Sequence, residues 1–445
     1  MVGVAHLAMT AAAVLSFGTA GLAAGESLSL DTAQQQALER NPSLRAAAAA
    51  VDEARAAVQQ SWAARLPTVR LTEQIVRTND PVGAFGSRLR QEAFQERDFA
   101  VGSLNRPEAI TDFRTALEIS QPVLSLGDQV YGRRRAESGE LAAHAGLLRA
   151  QSQVRLLTAG AYWGLVLAIE ALDVVERSLE NAEAHAAVAR AHFEQGTAPR
   201  TDLLAAEVRV AELRSEEITA ANRVHQAGDH LSLAMGWEPI DDLIPTDTLA
   251  LRQSGDRLDA MVETALAHRA DLTASGHQTN MARHALSSAR SGRLPRVRAF
   301  AEVALDADDP VARQGESWTV GAVATWDIFT GMHRRGEIGR ARAQLARTEA
   351  DRDGMRQQIV REVRQAHRNL TAAHSRFAVA EQAVVQAEER LRVGELKYGE
   401  GLMSTTDLLD AETAWRHAHI LRLQALHDVS LGMAQLEFAV GQPLR

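Results

Sequence analysis

The sequence predicts a mainly α protein with a membrane β-barrel: long coiled-coil helices and four membrane-length strands per chain, several copies of which close one barrel. Three observations carry this. Apolar positions keep a heptad spacing for over five repeats near the C-terminus. Four segments switch to a period of two. The whole order of elements then occurs twice along the chain.

Composition agrees. In 445 residues aromatics make up only 4%, and Ala, Leu, Glu, Arg and Gln dominate, as in long helices. The absence of cysteine excludes disulfides, thiolate metal sites, cysteine nucleophiles and a lipidated N-terminal cysteine. A net charge of −9 gives no reason to expect nucleic acid as a partner. The stretch Leu7–Leu22, followed by Ala23 and Ala24, reads as an export signal over 1–24, although no Lys or Arg precedes it. Beyond it no run of 18 apolar residues occurs, the longest, Ala159–Ile169, ending at Glu170.

The eleven prolines punctuate the chain and leave long proline-free spans at 123–198, 200–238, 246–294 and 311–442. Residues 30–70 fall on 258–298 at an offset of 228: Ala37-Leu38 meets Ala265-Leu266, and Arg65-Leu66-Pro67 meets Arg293-Leu294-Pro295. Further on an offset of 205 applies. Gly196 meets Gly401, Thr201-Asp202-Leu203-Leu204 meets Thr406-Asp407-Leu408-Leu409, and Gly236 meets Gly441. The expected organisation is therefore a first repeat at 25–237, an acidic equatorial connector at 238–257 and a second repeat at 258–445.

Each repeat reads helix, strand, loop, strand, long helix, tip, helix. Asp31–Arg65 has helical periodicity and closes at Leu66-Pro67. Val69, Leu71 and Ile75 then alternate with polar residues, with Glu73 interrupting, and Phe113, Leu117 and Ile119 do the same. In the second repeat Val297, Ala299, Ala301, Val303 and Leu305 form one face, and Trp318, Val320, Ala322, Ala324, Trp326 and Ile328 another. Polar loops are expected at 80–110 and 306–316. Trp318 and Trp326 are about 20 Å apart along a tilted strand, close to the apolar band of a barrel, so Trp318, Val320, Ala322 and Trp326 are assigned to lipid. Four strands alone close no barrel, and open edges are not viable in lipid.

The long-helix seam runs Ile359, Val363, Ala366, Leu370, Ala373 and Phe377, and on through Val384 and Leu391 to Tyr398. Its counterpart runs from Val154 to Phe193. A helix from about 130 to 195 is roughly 100 Å long and matches two shorter ones of about 50 Å end to end. Tight turns are expected near 196–201 and 399–405.

Leu-Pro before a strand and Gly-x4-Thr-Asp-Leu-Leu at a helical tip, each occurring twice, together with Leu28-x-Leu30-x6-Ala37-Leu38-x2-Asn41-Pro42-x-Leu44, resemble the TolC-like outer-membrane efflux family. The resemblance covers about Leu28 to Pro443. It implies a homotrimer with a 12-stranded barrel in outer-membrane lipid and a helical barrel in the periplasm. It also implies a periplasmic membrane-fusion adaptor at the tips and an inner-membrane pump of resistance-nodulation-division or ABC type. By the same resemblance Asp407 and Asp410 form the channel constriction, where crowded carboxylates repel anions and attract cations. Gly196, Thr201, Asp202, Leu203, Leu204, Gly401, Met403, Thr406, Leu408 and Leu409 form the tips that meet the adaptor. Helix capping is the competing reading for Asp407, with Ser404 or Thr406 as rival caps, and the preferred one for Asp202. Met403 stands where well-studied members carry an arginine, which puts an ionic lock in doubt.

No catalytic constellation, cofactor motif or metal-ligand spacing emerges. His277, His284, His367 and His374 are spaced by seven and suit solvated coiled-coil positions. The alternatives left open are an exit duct for type I protein secretion and a periplasmic coiled-coil scaffold without a pore.

Overall fold

The computed structural model describes residues 27–240, 243–253, 255, 257–311 and 314–442, so the expected export signal lies outside the described residues. In chain order the elements are β1 (Ser27–Leu28), α1 (Leu30–Arg40), α2 (Pro42–Ser61), β2 (Thr68–Thr78), α3 (Pro81–Arg90), α4 (Val101–Asn105), β3 (Ile110–Leu124) and α5 (Arg133–Glu194). There follow α6 (Arg200–Met235), β4 (Ile244–Pro245), α7 (Leu258–His268), α8 (Ala270–Ser291), β5 (Arg296–Ala307), β6 (Glu316–Thr325), α9 (His333–Gly399) and α10 (Thr405–Val440). The chain divides into two compact units, one of segments up to Asn41, Leu157–Arg252 and Ala373–Leu431, the other of Pro42–Leu156, Gln253–Ala372 and Gly432 onward.

The heptad seam of the long helices is their buried face. Ile359, Val363, Leu370, Ala373, Val384, Leu391 and Tyr398 on α9 are all buried, as are Val154, Leu165, Val175, Ala182 and Ala189 on α5. At its far end the α5 seam emerges, and Phe193 is exposed. Among the described residues one helix, Gly127–Glu194, holds an 18-residue window of mean hydropathy 1.4, apolar enough to cross a membrane. Nearly half of that window is buried, and Tyr162, Trp163, Leu165 and Val166 of α5 are packed inside the protein, so its apolarity serves a core.

In the first unit, β1 pairs in parallel with β4. The Tyr162 hydroxyl donates to the Leu28 carbonyl (2.9 Å) and to Asp247 Oδ2 (2.8 Å), and that carboxylate also accepts from the Leu30 N–H. The start of the first repeat and the connector are thus held to one helix through one phenol. Burial pushes the Tyr162 phenol up to about 12, so it stays a donor at any physiological pH.

In the second unit, the four strands form an antiparallel sheet in the order β2-β3-β5-β6. The register puts Val69, Ile119, Ala301 and Val320 in one row and Leu71, Leu117, Val303 and Trp318 in the next. All four predicted apolar faces therefore lie on the same side. The other side carries Arg114, which donates to Glu302 (2.7 Å) and Asp306 (3.0 Å). β2 and β6 are the edges, with no partner among the described residues. The fourth strand is shorter than expected: the ladder ends at Thr325, and Trp326 stands past it with its indole donating to the Arg293 carbonyl (3.0 Å).

Two other expectations are corrected. Asp31–Arg65 is not one helix; it breaks at Asn41, because a residue before proline avoids the helical region. The segment 80–110 is not a simple polar loop. Asp80 caps α3 by accepting from the Gly83 N–H (2.8 Å), and Phe85, Phe94 and Phe99 stack edge to face. α3 lies on the polar side of the sheet at its loop end. Arg90 bridges Asp306 (3.1 Å) and Asp112 (3.2 Å), and Gln91 donates to Asp112 (2.8 Å) and the Thr111 carbonyl (2.9 Å). Gly315, at φ +54°, admits the close approach of the Arg90 carbonyl, which a side chain there would block.

Candidate gate at the hairpin tips

Both long helices end in the same turn. Gly196 (φ +73°) and Gly401 (φ +71°) take the left-handed conformation that only glycine adopts freely. The Gly196 N–H donates to the Phe193 carbonyl (2.9 Å) and the Thr197 N–H to that of His192 (2.9 Å). Two hundred and five residues on, Gly401 donates to Tyr398 (3.0 Å) and Leu402 to Lys397 (2.8 Å). These are the paired bonds of a helix-ending glycine motif, reproduced in both repeats.

The helices that leave the turns begin differently. α10 is capped by Ser404, whose hydroxyl accepts from the Asp407 N–H (3.1 Å) and donates to the Asp407 carboxylate (2.7 Å). Ser404, the rival cap, thus takes the N-cap position, and Asp407 sits in the first turn with its N–H and carboxylate both bonded to the Ser404 hydroxyl. Asp407 and Asp410 are both exposed, on the same face of α10. α6 begins after Pro199 with no side-chain cap. Asp202, expected as a cap, instead accepts from the Thr405 hydroxyl (3.2 Å), which lies 3.3 Å from the Tyr398 hydroxyl. This chain of bonds ties the first tip to the second, and sequence spacing gave no sign of it.

Met403 occupies the place where an ionic lock would stand. Its sulfur packs over Gly394, and it rests against a core of Leu391, Tyr398, Leu408 and Ala411. Leu408 is 1% exposed, so its expected place on the adaptor-facing surface is corrected to the core of the tip. Thr201, Leu204, Gly196, Gly401 and Thr406 remain on the surface, with Leu203 and Leu409 half-buried.

One tip feature went unpredicted. His185 Nε2 lies 3.0 Å from Glu412, whose side chain is nearly buried, and 3.9 Å from Glu395. The Tyr398 ring packs edge-on to His185 and stacks on His192. The Glu412 carboxylate beside it holds the His185 imidazole above its ordinary range. His185 on α5 and Glu412 on α10 are 227 residues apart and carry no joint sequence signal, which is why the pair was missed.

On the sheet, Trp318 (75% exposed), Val320, Ala322 and Trp326 all lie open on the apolar side. Among the described residues no group of three or more His, Asp or Glu side chains has metal-binding geometry.

A family model described as "Outer membrane efflux protein" matches residues 33–237 and 261–442. The chain is 24% identical to "Outer membrane protein TolC" of Vibrio cholerae over 419 residues, 91% of this chain and 89% of that protein. It is 23% identical to "Alkaline protease secretion protein AprF" of Pseudomonas aeruginosa, over 76% of this chain and 72% of the other. The solved Campylobacter jejuni CmeC outer membrane channel superposes with a TM-score of 0.80 at 16% identity, covering 94% of this chain and 86% of that one.

Proposed function

Because the chain belongs to the outer membrane efflux protein family, we propose that it is the exit duct of a tripartite efflux system, passing small molecules from a periplasmic adaptor and inner-membrane pump to the exterior. A member of this family is an outer-membrane duct and not an enzyme. The observation that carries the reading is the open sheet. One side is apolar across its middle rows, from Val69–Ile119–Ala301–Val320 to Leu71–Leu117–Val303–Trp318, with Glu73, Thr115 and Glu316 in the next row toward the loops. The sheet ends in two edges, β2 and β6, with no partner among the described residues. Lipid tolerates no unpaired strand edge, so β6 of one copy pairs with β2 of the next. Three copies make a 12-stranded closed barrel with Trp318, Val320 and Ala322 outward and the Arg114–Glu302–Asp306 side inward. The strands lie in the outer membrane and the helical tips in the periplasm.

The tips form the closed gate and the adaptor contact. Three copies of Asp407 and Asp410 bring six carboxylates to one narrow mouth. Met403 and the Tyr398–Thr405–Asp202 chain hold that mouth shut in place of an arginine lock. In planar bilayers Asp407→Asn with Asp410→Asn should raise conductance and weaken block by divalent cations. Asparagine keeps an acceptor for Ser404, so a loss of capping does not confuse the result. Unchanged currents would remove the gate assignment.

The relative named for protease secretion supports a second reading, a duct for type I protein export. The genes beside this one decide between them: a resistance-nodulation-division pump supports efflux, and an ABC exporter with a protein substrate supports secretion.

A further inference from the structure

The surface least explained by a channel lies where the sheet gives way to the helices. Past the end of β6 the apolar side continues into a projecting loop, with Trp326, Ile328, Phe329 and Met332 between 61% and 84% exposed. Gly331 and Met332 both have positive φ, and for methionine that backbone is strained. Trp62, ahead of β2, is also exposed, with the Arg133 guanidinium 4.5 Å above its ring.

The charge around this loop runs against the rest of the chain. Segments 62–67, 125–140, 288–296 and 326–342 hold eleven arginines against five carboxylates, in a protein of net charge −9. Arg134, Arg135, Arg293 and Arg335 are exposed, and none has a carboxylate partner among the described residues. α5 opens on Arg133-Arg134-Arg135 and α9 on His333-Arg334-Arg335, with no acidic residue in either first turn. Helix N-termini favour negative charge, so the α9 triplet has the wrong sign for its own helix, while the α5 triplet follows a helical turn that begins at Gly127 and carries Asp128. Two largely exposed basic triplets on separate helices, beside an aromatic and apolar rim, are complementary to an anionic layer outside the protein.

We infer that this collar binds the phosphate head groups of phospholipids in the bilayer leaflet next to the helices. The inference rests on the barrel reading and deepens it. Arginine presents a planar fork of donors that matches phosphate oxygens, and Trp326, Ile328 and Phe329 continue the lipid-facing side into the head-group boundary. The collar fixes how deeply the barrel sits, with the helices beyond the phosphate plane.

The test uses the full chain, purified in detergent, stripped of lipid and offered phosphatidylglycerol or phosphatidylcholine, with retained lipid counted by native mass spectrometry. The wild-type oligomer should retain phosphatidylglycerol preferentially. Arg134→Gln with Arg135→Gln and Arg335→Gln should weaken retention by about fivefold for each arginine removed, the equivalent of about 1 kcal/mol per basic residue near an anionic surface. The matched set Arg352→Gln, Arg356→Gln and Arg361→Gln, exposed further along α9, should leave retention unchanged. Equal retention by the collar variant, or equal loss in the α9 set, overturns the collar. Single substitutions at Arg135 and Arg335 give the same reading should the triple variant misassemble. A wild-type protein that forms no heat-modifiable oligomer overturns the barrel reading itself, whereas an oligomer indifferent to the collar substitutions overturns only the collar.

Discussion

Replacing Val320 by arginine puts a charge on the apolar side of the sheet at the middle of its edge strand. Val320 is the fifth of the ten residues of β6, and it shares a row with Val69, Ile119 and Ala301. At about 3.3 Å per residue, either end of the strand is only about 13–17 Å away, so the position sits near the midplane of the apolar band. An arginine at that depth costs about 2–4 kcal/mol. Three well-separated copies add nearly independently, giving roughly 6–12 kcal/mol for the barrel. That is comparable with the whole stability of an ordinary domain, about 5–15 kcal/mol. The neighbouring Thr319 faces the other side and pairs with Glu302, which already binds Arg114 (2.7 Å). Thr319→Arg therefore enters a charged, wet surface and should be tolerated. The assay compares unheated and heated gels of protein extracted from outer membranes. Val320→Arg should lose the heat-modifiable oligomer and Thr319→Arg should keep it. The reverse pattern would mean that the apolar side faces the lumen, and the barrel assignment would fall with it.

Other perturbations probe the loop insert and the tip. Asp306 is fully buried between Arg90 and Arg114, so Asp306→Asn leaves two guanidinium groups short of a carboxylate. Breaking a buried pair in this way costs about 3–5 kcal/mol, and trypsin should then cut the 81–105 insert at Arg88 or Arg90, sites protected in the parent. Continued protection would show that the aromatic stack alone holds the insert. His185→Ala strands the buried Glu412 carboxylate at a cost of about 1–3 kcal/mol, which Glu412→Gln in the same chain should largely recover. The raised His185 pKa gives the pair a defined pH dependence. Its stabilisation is complete below the unfolded value of about 6.5 and is lost as pH rises through the higher folded value. Amide protection factors at the tip, which remove the intrinsic pH dependence of exchange, should therefore fall between mildly acidic and alkaline buffer in the parent but not in His185→Ala; an identical fall in both would exclude the pair as its source.

The parts of this molecule that were legible in the sequence are those where burial follows a fixed period. The heptad seam marks the buried face because a long helix presents the same side to its neighbours on every second turn. The four strand faces agreed because a one-residue slip in register would carry a whole apolar set to the wrong side. The insert was illegible for the opposite reason. Pro81, Gly83 and Gly86 read as loop, yet proline at the first helical position and a preceding aspartate cap start a short helix whose support comes from Asp112 and Asp306 on strands. The break in the second repeat at Arg269 has no proline behind it. Its backbone (φ −64°, ψ 124°) nearly matches that of Asn41 (φ −61°, ψ 126°), but the cause is tertiary: Arg269, 2% exposed, donates to Glu362 and to the Ala439 carbonyl.

The corresponding aspartates of the two repeats argue for placing the constriction at the second tip alone. Asp202 and Asp407 occupy equivalent positions, three residues into their helices, and from the sequence either could cap, bind a partner or line a mouth. Asp202 is half-buried and takes its hydrogen bond from Thr405 on the other hairpin, so its charge is turned toward the protein. Asp407 takes its bond from Ser404, one turn back on its own hairpin, and stays exposed with Asp410 one turn further on. A carboxylate can repel or attract an ion in a mouth only from the exposed state. Duplication supplied two candidate rings, and the divergence of Pro199 from Ser404 at the helix start left one of them free to act. Restoring the cap by Pro199→Ser should draw Asp202 toward its own helix and loosen the Asp202–Thr405 tie. If conductance then rises with both Asp407 and Asp410 intact, that tie is part of what keeps the gate shut; if it does not, Met403 and its apolar neighbours hold the tip without it.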